Sequence, residues 1–161
     1  MKKMILLVVI ASLWMGVIRP VTANDTLPLP RFAALKSNEA NMRTGPGLRY
    51  QVKWVLVKQN MPLEIVAEFE QWRKVRDHQG DEGWIHRSMI SGKRTVMITG
   101  GERILYQDMD SNAYPVAKLE DGVLAQVMEC RTDRCHVRVG GFKGWVDRQG
   151  LWGIYPGELI Q

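Results

Sequence analysis

A pentapeptide that contains Gly-Trp occurs twice in the chain and constrains the fold more than any other feature. The two copies are Gly83-Trp84-Ile85-His86-Arg87 and Gly144-Trp145-Val146-Asp147-Arg148, which are offset by 61 residues. A self-similarity of about 60 residues is too long for a solenoid unit and is typical of a duplicated small domain. We interpret the glycine as permitting a tight backbone turn and the indole as covering the core of a small barrel.

The N-terminal segment has the features of a signal peptide. Lys2 and Lys3 precede an apolar run over residues 4–18, and small residues stand just before Asn24. The run is shorter than the roughly 20 apolar residues that span a membrane. The complete order of charged, apolar and small-residue regions favours cleavage over retention as an uncleaved anchor. We therefore expect cleavage near Ala23-Asn24, export to the periplasm, and no stable membrane span in the mature chain.

The net charge argues against a nucleic-acid partner. The full chain carries 22 Lys and Arg residues against 17 Asp and Glu residues. Lys2, Lys3 and Arg19 leave with the expected signal peptide of residues 1–23, so the mature chain keeps 19 basic residues against the same 17 acidic ones. A charge this close to neutral gives little electrostatic attraction to a polyanion.

Short apolar segments separated by turn residues predict an all-β chain. Strand candidates recur roughly every 8–12 residues, and no segment after the signal keeps a helical period. Because a domain of about 60 residues is only marginally stable alone, we expect two tandem small β-barrels that pack on each other. We assign an extended leader to residues 24–32, the first domain to 33–98, with a last strand at 95–98, and the second domain to 99–158.

Cys130 and Cys135 are the only cysteines of the chain. In an oxidising compartment pairing is the default for such cysteines, and the four residues between them suit a hairpin loop that brings them within bonding distance. A metal site would need two more soft ligands, and only His136 is nearby. We expect a disulfide, no metal and no cofactor.

Several motifs resemble those of the bacterial SH3-like domains found in exported proteins. In the first unit, residues 41–47 are similar to the family's N-x-R-x-G-P-G opening, residues 72–75 to its W-x-x-V strand and residues 83–85 to its G-W-[VI] strand. In the second unit, residues 144–146 and the ending 151–158 fit the family, whereas the R-x-G-P-G loop and the W-x-x-V tryptophan are missing. The resemblance spans approximately residues 33–158 and implies two tandem SH3-like barrels.

The resemblance also implies a function. Members of this family are usually non-catalytic modules that bind cell-wall peptides or peptidoglycan, so we expect a binding protein of the cell envelope and not an enzyme. The sequence offers no nucleophile with a neighbouring base, and its three histidines are scattered. An envelope protein–protein adaptor and a purely structural pair of domains are the alternatives.

The candidate ligand-binding residues are aromatic or cationic and lie in the first unit. Aromatic rings stack on sugars, and guanidinium groups bind carboxylates through paired hydrogen bonds. The candidates are Arg43, Tyr50, Trp72, Lys74 and Arg76. The last three share one strand face by the two-residue period if Val75 faces the core. Two alternatives are open: Arg43 braces its own loop, and Trp72 packs against the second unit.

Overall fold

A computed structural model describes residues 27–110 and 112–161, which form two similar sheets that follow each other along the chain. The first sheet contains β1 (Arg31–Leu35), β2 (Ala40–Arg43), β3 (Val52–Leu56), β4 (Pro62–Phe69), β5 (Trp72–Arg76), β6 (Glu82–His86) and β7 (Ile90–Ser91). The second contains β8 (Thr95–Ile98), β9 (Arg103–Tyr106), β10 (Pro115–Leu119), β11 (Leu124–Cys130), β12 (Arg134–Val139), β13 (Phe142–Asp147) and β14 (Leu151–Trp152). A single 3-10 turn, Arg87–Met89, precedes β7. In these two stretches of chain no helix has the length and apolar character needed to cross a membrane.

The two sheets have the same strand order. The first runs β3-β2-β6-β5-β4-β1-β7 and the second β10-β9-β13-β12-β11-β8-β14, so each strand has a counterpart seven strands later. Each unit encloses its own hydrophobic core. Val75 and Ile85 are fully buried in the first, and their counterparts Val137 and Val146 are fully buried in the second. The prediction of two tandem all-β units is confirmed.

The boundary between the units lies before Thr95 and not after Ile98. The backbone of β8 pairs with β11 and β14 of the second sheet, so the prediction that residues 95–98 close the first domain is wrong. This strand is the counterpart of β1, which lies in the same place between β4 and β7. The predicted leader is also too long, because β1 begins at Arg31 and Phe32 is buried. The predicted signal peptide lies outside the described residues.

The Gly-Trp motif has a different role from the one that the sequence suggested. Gly83 and Gly144 are buried inside strands, where a Cβ on Gly144 would lie 2.3 Å from the carbonyl oxygen of Tyr106 and one on Gly83 2.9 Å from that of Arg43. The glycine therefore permits close approach of β2 or β9, and not a tight turn. The following Trp84 and Trp145 are half-buried on the outer face and do not belong to either core, so the interpretation that they cover the core is also wrong.

Aromatic residues join the two units. Phe32 of β1 contacts both Trp152 and Tyr155, with ring centroids 5.2 and 4.8 Å apart. The indole nitrogen of Trp152 donates a hydrogen bond to the carbonyl oxygen of Pro62 at 3.2 Å, and the Tyr155 hydroxyl donates to Glu64 Oε1 at 2.9 Å. Burial, together with the Glu64 carboxylate, raises the pKa of the Tyr155 phenol above its ordinary range, so it remains a donor.

A disulfide joins Cys130 and Cys135 at the ends of the β11–β12 hairpin. The two cysteines are register partners with Cα atoms 4.1 Å apart, and both side chains are buried in the second core. The predicted pairing is confirmed.

Candidate functional site

The predicted ligand residues of β5 lie on the outer face of the first sheet. Val75 is fully buried, so Trp72, Lys74 and Arg76 point away from the core as the two-residue period requires. The register of the β5–β6 hairpin places Trp72 opposite His86. Their rings meet edge to face, with centroids 5.4 Å apart and an interplanar angle of 83°.

Trp72 and His86 form one side of an open groove in the first unit. The groove has a volume of about 180 Å³ and brings together residues from β2, the connections on either side of it, β5, β6 and the 3-10 turn. Its lining residues are Glu39, Ala40, Asn41, Arg43, Leu48, Trp72, His86 and Met89. The lining thus combines apolar side chains with one guanidinium, one carboxylate and one imidazole.

His86 is held in a defined orientation by the 3-10 turn that follows it. Its Nδ1 accepts a hydrogen bond from the backbone N–H of Ser88 at 3.4 Å and lies 2.8 Å from the Ser88 hydroxyl. Because Nδ1 is the acceptor, Nε2 carries the proton of the neutral ring. The groove therefore has an imidazole N–H donor next to the indole edge.

Arg43 braces the loop and also lines the groove. Its Nη1 donates to the carbonyl oxygen of Tyr50 at 2.8 Å and to that of Leu48 at 3.3 Å. A guanidinium has five N–H donors, so those on Nε and Nη2 can still bind a carboxylate. The bracing alternative is confirmed, and it does not exclude ligand contact.

The ring of Tyr50 packs against this loop and does not line the groove. A Cβ on Gly45 would lie 2.4 Å from the Tyr50 ring, and one on Gly47 would lie 3.4 Å from it. Position 45 therefore requires a glycine, because the tyrosine ring packs directly against the backbone there, whereas a Cβ at position 47 would only make an ordinary contact with the ring.

Lys74 and Arg76 are engaged in ion pairs beside the groove. Both bind Glu82, with Lys74 Nζ 2.6 Å from Oε2 and Arg76 Nη2 2.7 Å from Oε1, and Arg76 Nη1 also lies 3.1 Å from Glu64 Oε2. Hydrogen bonds from Lys74 and then Arg76 lower the pKa of Glu82 below its ordinary value. Of the five predicted ligand residues, the structure brings only Arg43 and Trp72 together in the groove.

In the second unit the same positions are occupied by a closed cluster. The counterparts of Trp72, His86 and Arg43, by strand register, are Arg134, Asp147 and Tyr106. Arg134 Nε donates to Asp147 Oδ1 at 2.9 Å, and its guanidinium lies over the Tyr106 ring at 4.7 Å from the centroid.

Arg134 also points toward the loop after β9. Its Nη1 lies 3.4–3.5 Å from the carbonyl oxygens of Asp108, Met109 and Asp110, and the side chain is only 17% exposed. The arginine therefore occupies the space that is open beside Trp72 in the first unit.

Sequence reasoning missed three residues of the groove that define its chemistry: His86, Glu39 and Met89. The signal for His86 was present, because folding a hairpin about residues 77–81 pairs it with Trp72. Glu39 and Met89 flank their strands in short connections, where no periodicity indicates the direction of a side chain.

The chain belongs to the bacterial SH3 domain family. The model of that family matches residues 36–92 and again residues 100–153, which is one match for each sheet. The resemblance inferred from the motifs is confirmed, and with it the fold as two tandem SH3-like domains. No curated protein sequence is significantly similar to the chain.

Solved structures with a similar arrangement include two NlpC proteins and a putative autolysin. NlpC2 from Trichomonas vaginalis has 11% sequence identity and a TM-score of 0.36 over 79% of this chain and 49% of its own. NlpC1 from the same organism has 12% identity and a TM-score of 0.36 over 80% and 48%. A putative autolysin from Listeria monocytogenes has 15% identity and a TM-score of 0.31 over 77% and 62%. The chain spans about half the length of the two NlpC proteins, and TM-scores this low carry no inference about function.

Proposed function

We propose that the protein is a non-catalytic binding module of the cell envelope, whose first unit binds peptidoglycan through its wall peptides. In this proposal residues 1–23 direct export to the periplasm and are then removed. The observation that carries the proposal is the open groove between Arg43, Trp72 and His86. At the corresponding place in the second unit, the Arg134 cluster fills the space.

The groove chemistry fits a peptide that has both acidic and basic groups. The Nε and Nη2 donors of Arg43 suit a carboxylate, and the exposed Glu39 suits an ammonium group. Trp72 and Met89 offer apolar surface between these charged ends. Wall stem peptides combine carboxylates, amines and short apolar side chains, so they match all three features.

Co-sedimentation with purified peptidoglycan tests this proposal. We expect saturable pelleting that becomes at least about tenfold weaker in Trp72→Ala, because a central aromatic contact contributes about 1.4 kcal/mol or more. Trp54→Ala is the matched control, since Trp54 belongs to the same unit, is 50% exposed and does not line the groove. Equal pelleting of both variants, at unchanged thermal stability, would show that the groove is not the wall-binding site.

A protein–protein adaptor is the second candidate, and the edge strand β3 favours it. This strand ends the first sheet, and three apolar side chains in or next to it are exposed: Trp54 at 50%, Val55 at 46% and Val57 at 72%. An exposed apolar edge suits the addition of a partner strand. Crosslinking in intact envelopes that is lost in Trp54→Ala, while peptidoglycan pelleting persists, would favour this candidate.

A further inference from the structure

A row of four residues crosses the second sheet in strict register. Thr95 of β8 pairs with Gln126 of β11, Gln126 pairs with Arg138 of β12, and Arg138 pairs with Lys143 of β13. We call these four residues the basic row. Register partners lie on the same face of a sheet with Cβ atoms about 5 Å apart.

The corresponding row of the first sheet carries the opposite charge. It consists of Phe32, Glu64, Arg76 and Glu82. There the single arginine binds both carboxylates. In the basic row a neutral glutamine replaces Glu64 and a lysine replaces Glu82, so the row has two positive charges and no negative one.

Among the described residues, the two cations of the basic row have no counter-charge. In the described part of the chain, neither Arg138 nor Lys143 has a carboxylate within ion-pair distance. Like charges directly opposite each other on neighbouring strands destabilise a sheet. A bound anion would remove this repulsion.

A polar pocket lies on the row at the junction of the two units. It has a volume of about 160 Å³, and its polar lining consists of Asn60, Lys93, Thr95, Gln126 and Arg138. No carboxylate is among its lining residues in the described chain. Lys93 Nζ has a weak neutral partner, the side-chain oxygen of Asn60 at 3.3 Å. Two cations and two amides therefore converge on one small space.

Thr95 provides an independent indication. Its side chain is at the edge of the pocket and is only 3% exposed, yet its hydroxyl has no hydrogen-bond partner among the described residues. Buried hydroxyls without a partner are rare in folded proteins, because each loses its bonds to water without replacement. Thr95 is thus a further polar residue of the pocket lining whose hydrogen-bonding capacity no described residue satisfies.

We propose that this pocket is a binding site for an oxyanion, namely a phosphate or carboxylate group, held by Arg138 and Lys93. Charge-assisted hydrogen bonds from a guanidinium and an ammonium are the usual means by which proteins bind both groups. Asn60 comes from the first unit and the other residues from the linker and the second unit, so a bound anion bridges the junction. The site is separate from the groove of Trp72 and does not depend on wall binding.

Titration followed by NMR of ¹⁵N-labelled protein tests the proposal. The probes are inorganic phosphate and acetate, each compared with sodium chloride at the same ionic strength, and the readout is the backbone amides of Gln126 and Gly140 at the pocket. We expect saturable shifts with at least one probe, and an apparent Kd about tenfold higher in Arg138→Gln and in Lys93→Gln. Arg87→Gln is the matched control, since it removes the same charge from an exposed arginine outside the pocket.

The two probes distinguish the sources of the anion, because saturation by phosphate alone assigns a phosphate group and saturation by acetate assigns a carboxylate. Shifts that do not saturate with either probe, or that are equal in Arg138→Gln and Arg87→Gln, overturn the proposal. Trp72→Ala separates this result from the wall-binding proposal, because it should weaken pelleting with peptidoglycan and leave the anion titration unchanged.

Discussion

Among single residues, the glycine and the tryptophan of the repeated Gly-Trp pair lie on opposite faces of the sheet and have different roles. The glycine lies on the inner face, where the neighbouring strand comes too close for any side chain. The tryptophan lies on the outer face, next to Lys74 in the first unit and stacked on His136 in the second, with ring centroids 5.0 Å apart. The repeat therefore indicated the duplication correctly, but it did not indicate which residues form the core.

Gly144→Ala should destabilise the protein by about 2 kcal/mol or more, because a Cβ would lie 2.3 Å from the backbone oxygen of Tyr106 and 2.9 Å from Leu105. Gly92→Ala is the control, because a Cβ there meets nothing within 4 Å and should change stability by about 0.5 kcal/mol or less. Denaturation by urea measures both. Equal stability of the two variants would show that the strands can separate at no cost.

Among the secondary-structure elements, most strands could be predicted from the alternation of apolar and polar residues and from the turn residues between them. The β5–β6 hairpin, with Val75 inward and Trp72 outward, follows from its sequence alone. Thr95–Ile98 was assigned to the wrong unit because a buried four-residue strand looks the same at the end of one sheet and at the start of the next. Only pairing with β11 and β14 decides between them.

The residues of the groove could be predicted only in part. Arg43 and Trp72 were found because they belong to motifs, whereas closure of the second groove depends on carbonyl oxygens at residues 108–110 that contact Arg134. The direction of carbonyl groups in a loop cannot be deduced from residue types.

An ion pair between Arg94 and Glu158 holds the C-terminal segment in place. Arg94, just before β8, donates from Nη1 and Nη2 to the two carboxylate oxygens of Glu158 at 2.6 and 3.0 Å, and the Tyr155 backbone N–H donates to the same carboxylate at 3.0 Å. Arg94 in the first place, and then this N–H, hold the pKa of Glu158 below its ordinary value of 4.5.

We therefore expect low pH to weaken the ion pair that holds this segment. Since the folded-state pKa of Glu158 is lowered, its contribution to stability is complete above the ordinary value of 4.5 and is lost as the pH falls through the folded-state value. We expect Glu158→Gln to cost about 1 kcal/mol at pH 7 and progressively less below pH 4.5. Urea unfolding at several pH values measures this, with Glu120→Gln as an exposed control. A difference that is constant with pH would contradict the ion pair.

In the molecule as a whole, the two small units contact each other at an aromatic junction. Phe32, Trp152 and Tyr155 pack together, and Glu64 and Pro62 accept hydrogen bonds across the junction. Small domains bury too little surface for high stability alone, so the junction should make the two units unfold together.

Trp152→Ala should uncouple the units. It removes the contact with Phe32 and the hydrogen bond to Pro62, and we expect one calorimetric transition to become two, with a loss of about 3 kcal/mol in the less stable unit. Trp145→Ala is the control, because this half-buried tryptophan is in the second unit but stacks on His136 away from the junction. A single transition in both variants would show that the junction does not couple the units.

We propose that the open groove in the first unit binds the wall and that its filled counterpart does not. Peptidoglycan pelleting of the double variant Trp72→Arg, His86→Asp tests it most directly, because this change gives the first unit the ion pair that already exists between Arg134 and Asp147. We expect a folded protein within about 1 kcal/mol of the original stability and at least about tenfold weaker pelleting. Pelleting as strong as that of the unaltered protein would rule out the groove as the wall-binding site. An unaltered protein that stays in the supernatant would rule out wall binding itself.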